Sequence, residues 1–221
     1  MRILRNSVSV TVLVVVLLAL FALAFGGPNA DGKGEGRSIE AIERTLEAGT
    51  YSLDPAHTHV GFGVEHLGIA LVKGRFKDVE GSIEYDPKDI GRSKVNFSAK
   101  IESIDTGVSA RDEHLRSADF FDAAKYPTMT FVSTKIEKKG KRYIMNGELT
   151  IKGVTRPISF AFTFTDAIKD PWGGTRFGAA ATTEVNRRDF GITYGNALPG
   201  GGFDVADRVA IELHLEAVKA K

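Results

Sequence analysis

SKVNFSAKI, residues 93–101, sets Val95, Phe97, Ala99 and Ile101 at alternate positions, with Lys94, Asn96, Ser98 and Lys100 between them. Successive side chains of a strand point to opposite faces, so the segment has one apolar and one polar side. A helix would place its apolar residues three and four apart. Period two identifies a half-buried antiparallel strand.

The same rhythm extends in both directions. HVGFGVEH (59–66) aligns Val60, Phe62 and Val64, and TMTFVSTKI (128–136) aligns Met129 and Phe131. RYIMNGELTI (142–151) aligns Tyr143, Met145, Leu149 and Ile151. ISFAFTF (158–164) carries Ile158, Phe160, Phe162 and Phe164, and RVAIELHLEAV (208–218) carries Val209, Ile211, Leu213 and Leu215. About eight such segments, with no long helices alternating between them, predict an all-β barrel or sandwich and speak against a parallel α/β sheet.

The joints have turn chemistry of their own. Lys138-Lys139-Gly140-Lys141 suits a hairpin with glycine at positive φ. Residues 86–91, DPKDIG, form a polar turn, and GVTRP (153–157) links two strands with Pro157 at a strand start. Gly61, Gly63, Gly74, Ala99, Gly147, Ala179 and Ala181 interleave with the phenylalanines. Small residues at these positions predict unfilled space, and a closed barrel of about eight strands can hold one small ligand.

RDEHLRSADFFDAAKYP (111–127) breaks the rhythm. It predicts a short helix near residues 109–118, with Ser109 as cap, Pro127 as stop, and Leu115, Ala118 and Phe121 facing inward. The helix covers a barrel opening in either of two ways. Phe120 and Phe121 close an apolar interior with Arg111 or Arg116 near a polar head group, or the segment is a plug whose arginines pair with Asp112 or Asp119.

The first fifty residues differ in composition. Arg2 and Arg5 precede an apolar run from Val8 to Phe25, the order of an export signal, either cleaved after Ala22-Leu23-Ala24 or kept as a membrane anchor. The domains expected are a signal or anchor helix at 1–25, a linker at 26–49 with a short helix over 38–48, and a barrel at 50–221. There is no cysteine, so an exported fold rests on its core alone. Removing the two leader arginines turns the formal charge of +1 into −1, which speaks against nucleic acid as a partner.

Five blocks in order, YSLDPAHTHVGFGVEHLG, GRFKDVEGSIEYD, RDEHLRSADFFDAAKYPTMTFVS, GELTIKGVTRPISF and NRRDFGITY, resemble the YceI-like family of lipid- and polyisoprenoid-binding proteins. The resemblance spans residues 51–215. It implies an extended antiparallel β-barrel, lipocalin-like in outline and periplasmic, that holds a long isoprenoid or similar amphiphile for storage, transport or sequestration. The long stretch 26–49 and Arg188, where a serine is common, depart from the family pattern.

On this reading the protein is a carrier, not an enzyme, and needs no metal or other cofactor. The apolar interior is expected from Phe62, Val64 and Phe76, then Phe97, Phe121, Met129 and Phe131, then Met145, Leu149, Phe160 and Phe162. Head-group candidates are His57, Arg111, His114 and Arg187, the last set against a structural pairing within Arg187-Arg188-Asp189. The partner is a long-chain isoprenoid or fatty lipid, with a membrane tether through residues 8–25 if the leader is kept. Pairing of two barrels as a homodimer stays open. Two alternatives stand beside the carrier. His57 and His59 sit two apart on a strand and could share a metal in a metal-dependent enzyme, though a catalytic zinc needs a third ligand, for which His66 or His114 would have to converge. A structural envelope module without ligand would have a solid core. No GxSxG, catalytic carboxylate pair or phosphate loop is present; Gly200-Gly201-Gly202 after Pro199 is a turn, and His214 lies on the polar side of its strand.

Overall fold

The computed structural model describes residues 46–140 and 142–220. The expected leader at 1–25 and nearly all of the linker and helix expected over 26–49 lie outside them. The elements are β1 (Gly49–Leu53), β2 (His59–His66), β3 (Ala70–Phe76), β4 (Val79–Tyr85), β5 (Lys94–Lys100) and β6 (Ile104–Asp105), then helix α1 (Ser109–Arg116). There follow β7 (Thr128–Lys139), β8 (Arg142–Ile151), β9 (Val154–Phe164), β10 (Ile168–Lys169), β11 (Thr175–Asn186) and β12 (Val205–Lys219).

Every pairing among them is antiparallel, and eight strands close into a ring in the order β1-β4-β5-β7-β8-β9-β11-β12. The 15-residue β12 closes it. One edge pairs with β11 from Arg208 to Val218. The other meets β2 between Val205 and His214 and then β1 at Ala217–Lys219. Strands β2, β3 and β6 therefore carry the wall beyond the ring, which makes the barrel extended. The predicted all-β barrel with one short helix is the observed fold.

The opening stretch behaves as its pattern requires. In β5, Ala99 is buried, Val95 and Phe97 are half-buried, and Lys94, Asn96 and Lys100 are exposed or nearly so. Two apolar clusters make up the core. The larger gathers Val60, Phe76, Ile101, Ile104, Phe131 and Phe190, and the smaller centres on Tyr51 and Phe177. Tyr51 has no exposed surface, and its hydroxyl donates to Glu47 O at 2.9 Å.

Several local expectations change. Helix α1 begins at Ser109 itself, with Val108 as cap residue and no side-chain cap. Asp112 instead accepts from Thr106 N (2.9 Å) and Thr106 Oγ1 (2.6 Å), fastening the first turn to the preceding strand. Ser117, not Pro127, stops the helix: its N–H and hydroxyl both donate to His114 O. Ala118 is exposed, whereas Leu115 and Phe121 pack on the core. Arg111 and Arg116 pair with neither Asp112 nor Asp119. Arg111 donates to Thr106 Oγ1 and O, and Arg116 to Glu102 O and Ile104 O.

Pro157 lies inside β9 rather than at its start, because Lys152 and Gly153 (φ +50° and +73°) make the tight turn and the strand resumes at Val154. Proline is tolerated there because β11 meets β9 only at residues 162–164, which leaves the other edge at 157 without a ladder. The strand glycines do not all create voids. A Cβ on Gly74 would meet the Phe62 ring at 2.4 Å, and one on Gly147 would meet the Phe131 ring at 2.3 Å. Each glycine lets a neighbouring ring lie across the strand. Ala179 and Ala181 do border open space.

Candidate ligand cavity

Two spaces lie end to end inside the wall. The lower, about 170 Å³, is bounded by inward residues of all eight ring strands, and no polar atom faces it. Phe97 of β5, Phe131 of β7, Met145 and Leu149 of β8, and Phe160 and Phe162 of β9 supply much of its surface. The upper, about 350 Å³, lies between β2, β3, α1 and the start of β12, and is bounded by Phe62, Val64, Phe76 and Phe121. Val60, Met129, Ile151 and Ile211 border both. All eleven side chains expected in the interior therefore face one space or the other.

The upper space has the polar groups. Phe121 meets Phe76 edge-on at 5.9 Å, and Phe76 lies 5.8 Å from Phe62. Beside them His114, Phe120 and Tyr194 form a triangle with centroids 4.7–5.0 Å apart. The short helix and the turn that follows its C-terminal end place these rings together, since Phe121 N–H donates back to Leu115 O and Phe120 N–H to Ser117 O. His114 Nε2 lies 3.0 Å from Asp119 Oδ2. Arg111 borders the same space, with Nε and one terminal nitrogen committed to Thr106.

Arg187 also borders the upper space, but its guanidinium serves the fold. With 5% of its side chain exposed, it donates from Nε to Ala206 O, from Nη1 to Ile192 O and from Nη2 to Val205 O, each at 2.9 Å. Burial pushes its pKa down, opposed by Asp207. The carboxylate paired with both arginines is Asp207, not the neighbouring Asp189.

His57 lies elsewhere. Asp54 caps a 3-10 turn, Pro55–His57, that separates β1 from β2, so His57 and His59 are not alternate residues of one strand. His57 Nδ1 lies 3.0 Å from Asp54 Oδ2, while His59 packs over Gly61. Asp54, His57 and Glu216 bring ligand-type atoms within 4.8 Å of one another. Arg176 already occupies the centre of this group, with Nη1 2.6 Å from Asp54 and 2.7 Å from Glu216, and Nε 2.5 Å from Asp170. Hydrogen bonds from His57 and Arg176 hold the Asp54 carboxyl at about 2, and Asp54 in turn raises His57. The three carboxylates raise the Arg176 pKa further. A metal would have to displace a guanidinium, so this donor set does not fit one. His214 is solvent-facing and paired with Glu212, as its polar strand position predicts.

Sequence reasoning missed Ile83, Tyr85 and Ile136 in the lower space and Ile192 and Tyr194 in the upper. Ile83 and Tyr85 carry the period-two signal at the end of β4, whereas Ile136 is out of phase with Met129 and Phe131 because the register of β7 shifts between Ser133 and Lys135. The last two follow a 3-10 turn, Arg187–Phe190, where no periodicity marks them.

Comparison with known proteins agrees with this architecture. The YceI-like domain model matches residues 51–217. A UPF0312 protein of Vibrio cholerae is 40% identical over 185 residues, covering 82% of this chain and 94% of that protein. The crystal structure of Burkholderia cenocepacia BcnA superposes with a TM-score of 0.65 at 25% identity, covering 74% of this chain and 98% of that one. A polyisoprenoid binding domain from Saccharophagus degradans superposes with a TM-score of 0.60 at 15% identity, over 79% and 100% of the two chains, and shares the fold.

Proposed function

The chain belongs to the YceI-like domain family, and on that premise we propose that it is a binding protein whose barrel holds a long-chain isoprenoid or similar amphiphilic lipid. The observation that carries this reading is the carbon-lined lower space continuing into an upper one where Arg111, His114 and Tyr194 collect. The polyisoprenoid-binding neighbour supports the ligand class.

The energetics run the same way. An empty apolar cavity costs about 24 cal/mol per Å³, so the lower space left vacant would sacrifice roughly 4 kcal/mol. An alkyl or prenyl chain recovers that, at about 0.8 kcal/mol for each buried methylene, less the cost of ordering the chain. A tail in the lower space would leave its head in the upper one, where orienting polar groups are available. Residues 1–25 would take the chain out of the cytoplasm, placing the barrel where envelope lipids are. Organic extraction of protein made in its native compartment, followed by mass spectrometry, tests the proposal: one stoichiometric long-chain lipid is expected, and recovery of lipid-free folded protein overturns it.

A further inference from the structure

The turn between β2 and β3 is apolar where turn chemistry favours polar residues. Ile69 is 83% exposed, Leu71 55% and Leu67 40%. Leu67 and Gly68 both have positive φ, +56° and +69°. Glycine and asparagine adopt that conformation readily, and leucine does so under strain. The turn is nonetheless held firmly: Ile69 N–H donates to His66 O at 3.1 Å, and Leu67 N–H to Asp204 O at 2.9 Å. Phe203, which precedes that carbonyl, is also 38% exposed, so the neighbouring loop adds a fourth apolar side chain.

Three further features say what this tip meets. The strands that carry it also frame the upper space, through Val64, Glu65, His66 and Val72, so the exposed residues follow directly from the cavity wall. Lys73 and Arg75 continue from Leu71 at alternate, exposed positions of β3. Arg188 stacks on the Phe203 ring, 4.4 Å from its centroid, while its Nε pairs with Asp207 at 2.5 Å, which leaves Lys73 and Arg75 as the cations beside the tip. A small apolar tip flanked by cations matches an anionic lipid surface, where side chains enter the acyl boundary and Lys and Arg meet head groups.

We propose that the Leu67–Leu71 tip docks into an anionic bilayer and brings the upper space against the membrane, so that a lipid passes between bilayer and barrel without crossing water. This rests on the lipid-binding reading above. Burying one leucine or isoleucine in the acyl region changes docking by about tenfold or more.

The chain's only tryptophan, Trp172, is 84% exposed on the β10–β11 turn and serves as a built-in control. Full-length protein carrying Ile69→Trp with Trp172→Phe, and the unaltered chain, are mixed with vesicles of phosphatidylcholine and phosphatidylglycerol brominated on their acyl chains. Quenching of the indole at position 69, weakened by salt or by omitting phosphatidylglycerol, with Trp172 unquenched, is the expected result. Adding Leu67→Asn should raise thermal stability by relieving the backbone while lowering that quenching about tenfold, a combination no folding defect produces. Quenching of Trp172 instead, or an indole at 69 whose emission responds to protein concentration without vesicles, as in pairing with a second copy, overturns the proposal. Extracting lipid from the same samples separates the two ideas. Retained lipid with no quenching at 69 defeats the docking surface alone, and quenching with no retained lipid defeats the cavity reading alone.

Discussion

Arg176 and Asp54, 122 residues apart in sequence, meet with Nη1 2.6 Å from Oδ2 and tie the start of β11 to the turn after β1. With Asp170 and Glu216 on the same guanidinium, four segments converge on one cation. Asp54 titrates at about 2, below its ordinary 3.8, so its contribution is fully present above pH 3.8 and is lost as the pH falls towards 2. His57, raised by the same carboxylate, contributes below its ordinary 6.5 and loses that contribution as the pH rises through its raised value. Asp54→Asn is expected to lower Tm by several degrees at pH 5, and the gap from wild type should narrow steadily towards pH 2 in thermal melts. A gap unchanged at low pH would contradict the assignment.

Gly74 faces Phe62 directly across β2 and β3, with the ring resting over its Cα. Gly74→Ala places a methyl 2.4 Å from the ring and 2.8 Å from Thr106 Cγ2. The expected destabilisation is about 1–3 kcal/mol. Phe62→Leu in the same chain should recover part of it, giving a coupling energy in denaturant unfolding that two independent losses would not show.

These positions show why the sequence was readable in some respects and not in others. Period-two patterning in β2, β5, β7, β8 and β9 reports which side of each strand is apolar, and that places nine of the eleven interior side chains; Phe76 and Phe121 lie outside those patterns. It does not report partners. Closure of the ring depends on β12 pairing with β11 along one edge and with β2 and β1 along the other, and the contacts with β2 and β1 join segments more than a hundred residues apart that no local pattern encodes. Glycine was ambiguous for a related reason: Gly74 is occupied by a ring from the next strand, whereas Ala181 opens onto space, and both read as small. At His57, the Asp54 cap and Pro55 replace the strand that alternation suggested.

Ala181 sits on β11 opposite Leu213 and borders the lower space. Ala181→Leu is expected to stabilise the lipid-free protein by about 1–2 kcal/mol, because it buries methyls in a cavity that already exists. The same methyls exclude a guest. Lipid recovered per chain should fall while Tm holds or rises, measured by extraction and calorimetry on one preparation. Undiminished lipid would mean that the tail lies elsewhere.

Phe121 touches Phe76 edge-on and borders only the upper space. Phe121→Ala should reduce retained lipid, with a stability loss at or below the roughly 3–5 kcal/mol typical of a fully buried phenylalanine, since this one is only half-buried. Unchanged lipid content in folded protein would remove it from the closure of the barrel.

Arg187 separates a structural from a ligand role for a cation at the cavity wall. Its three carbonyl partners belong to Ile192, Val205 and Ala206, so the side chain joins the segment after the 3-10 turn to the start of β12. Arg187→Leu leaves these carbonyls unpaired beside Asp207 and is expected to cost about 3–5 kcal/mol. Arg187→Lys keeps the charge but replaces a planar fork with a single ammonium, which cannot reach three divergent acceptors. The lysine variant should therefore melt nearly as early as the leucine variant. A residue whose task was to bind an anionic head group would behave in the opposite way: lysine would largely preserve both Tm and lipid, and leucine would lose lipid while keeping its Tm.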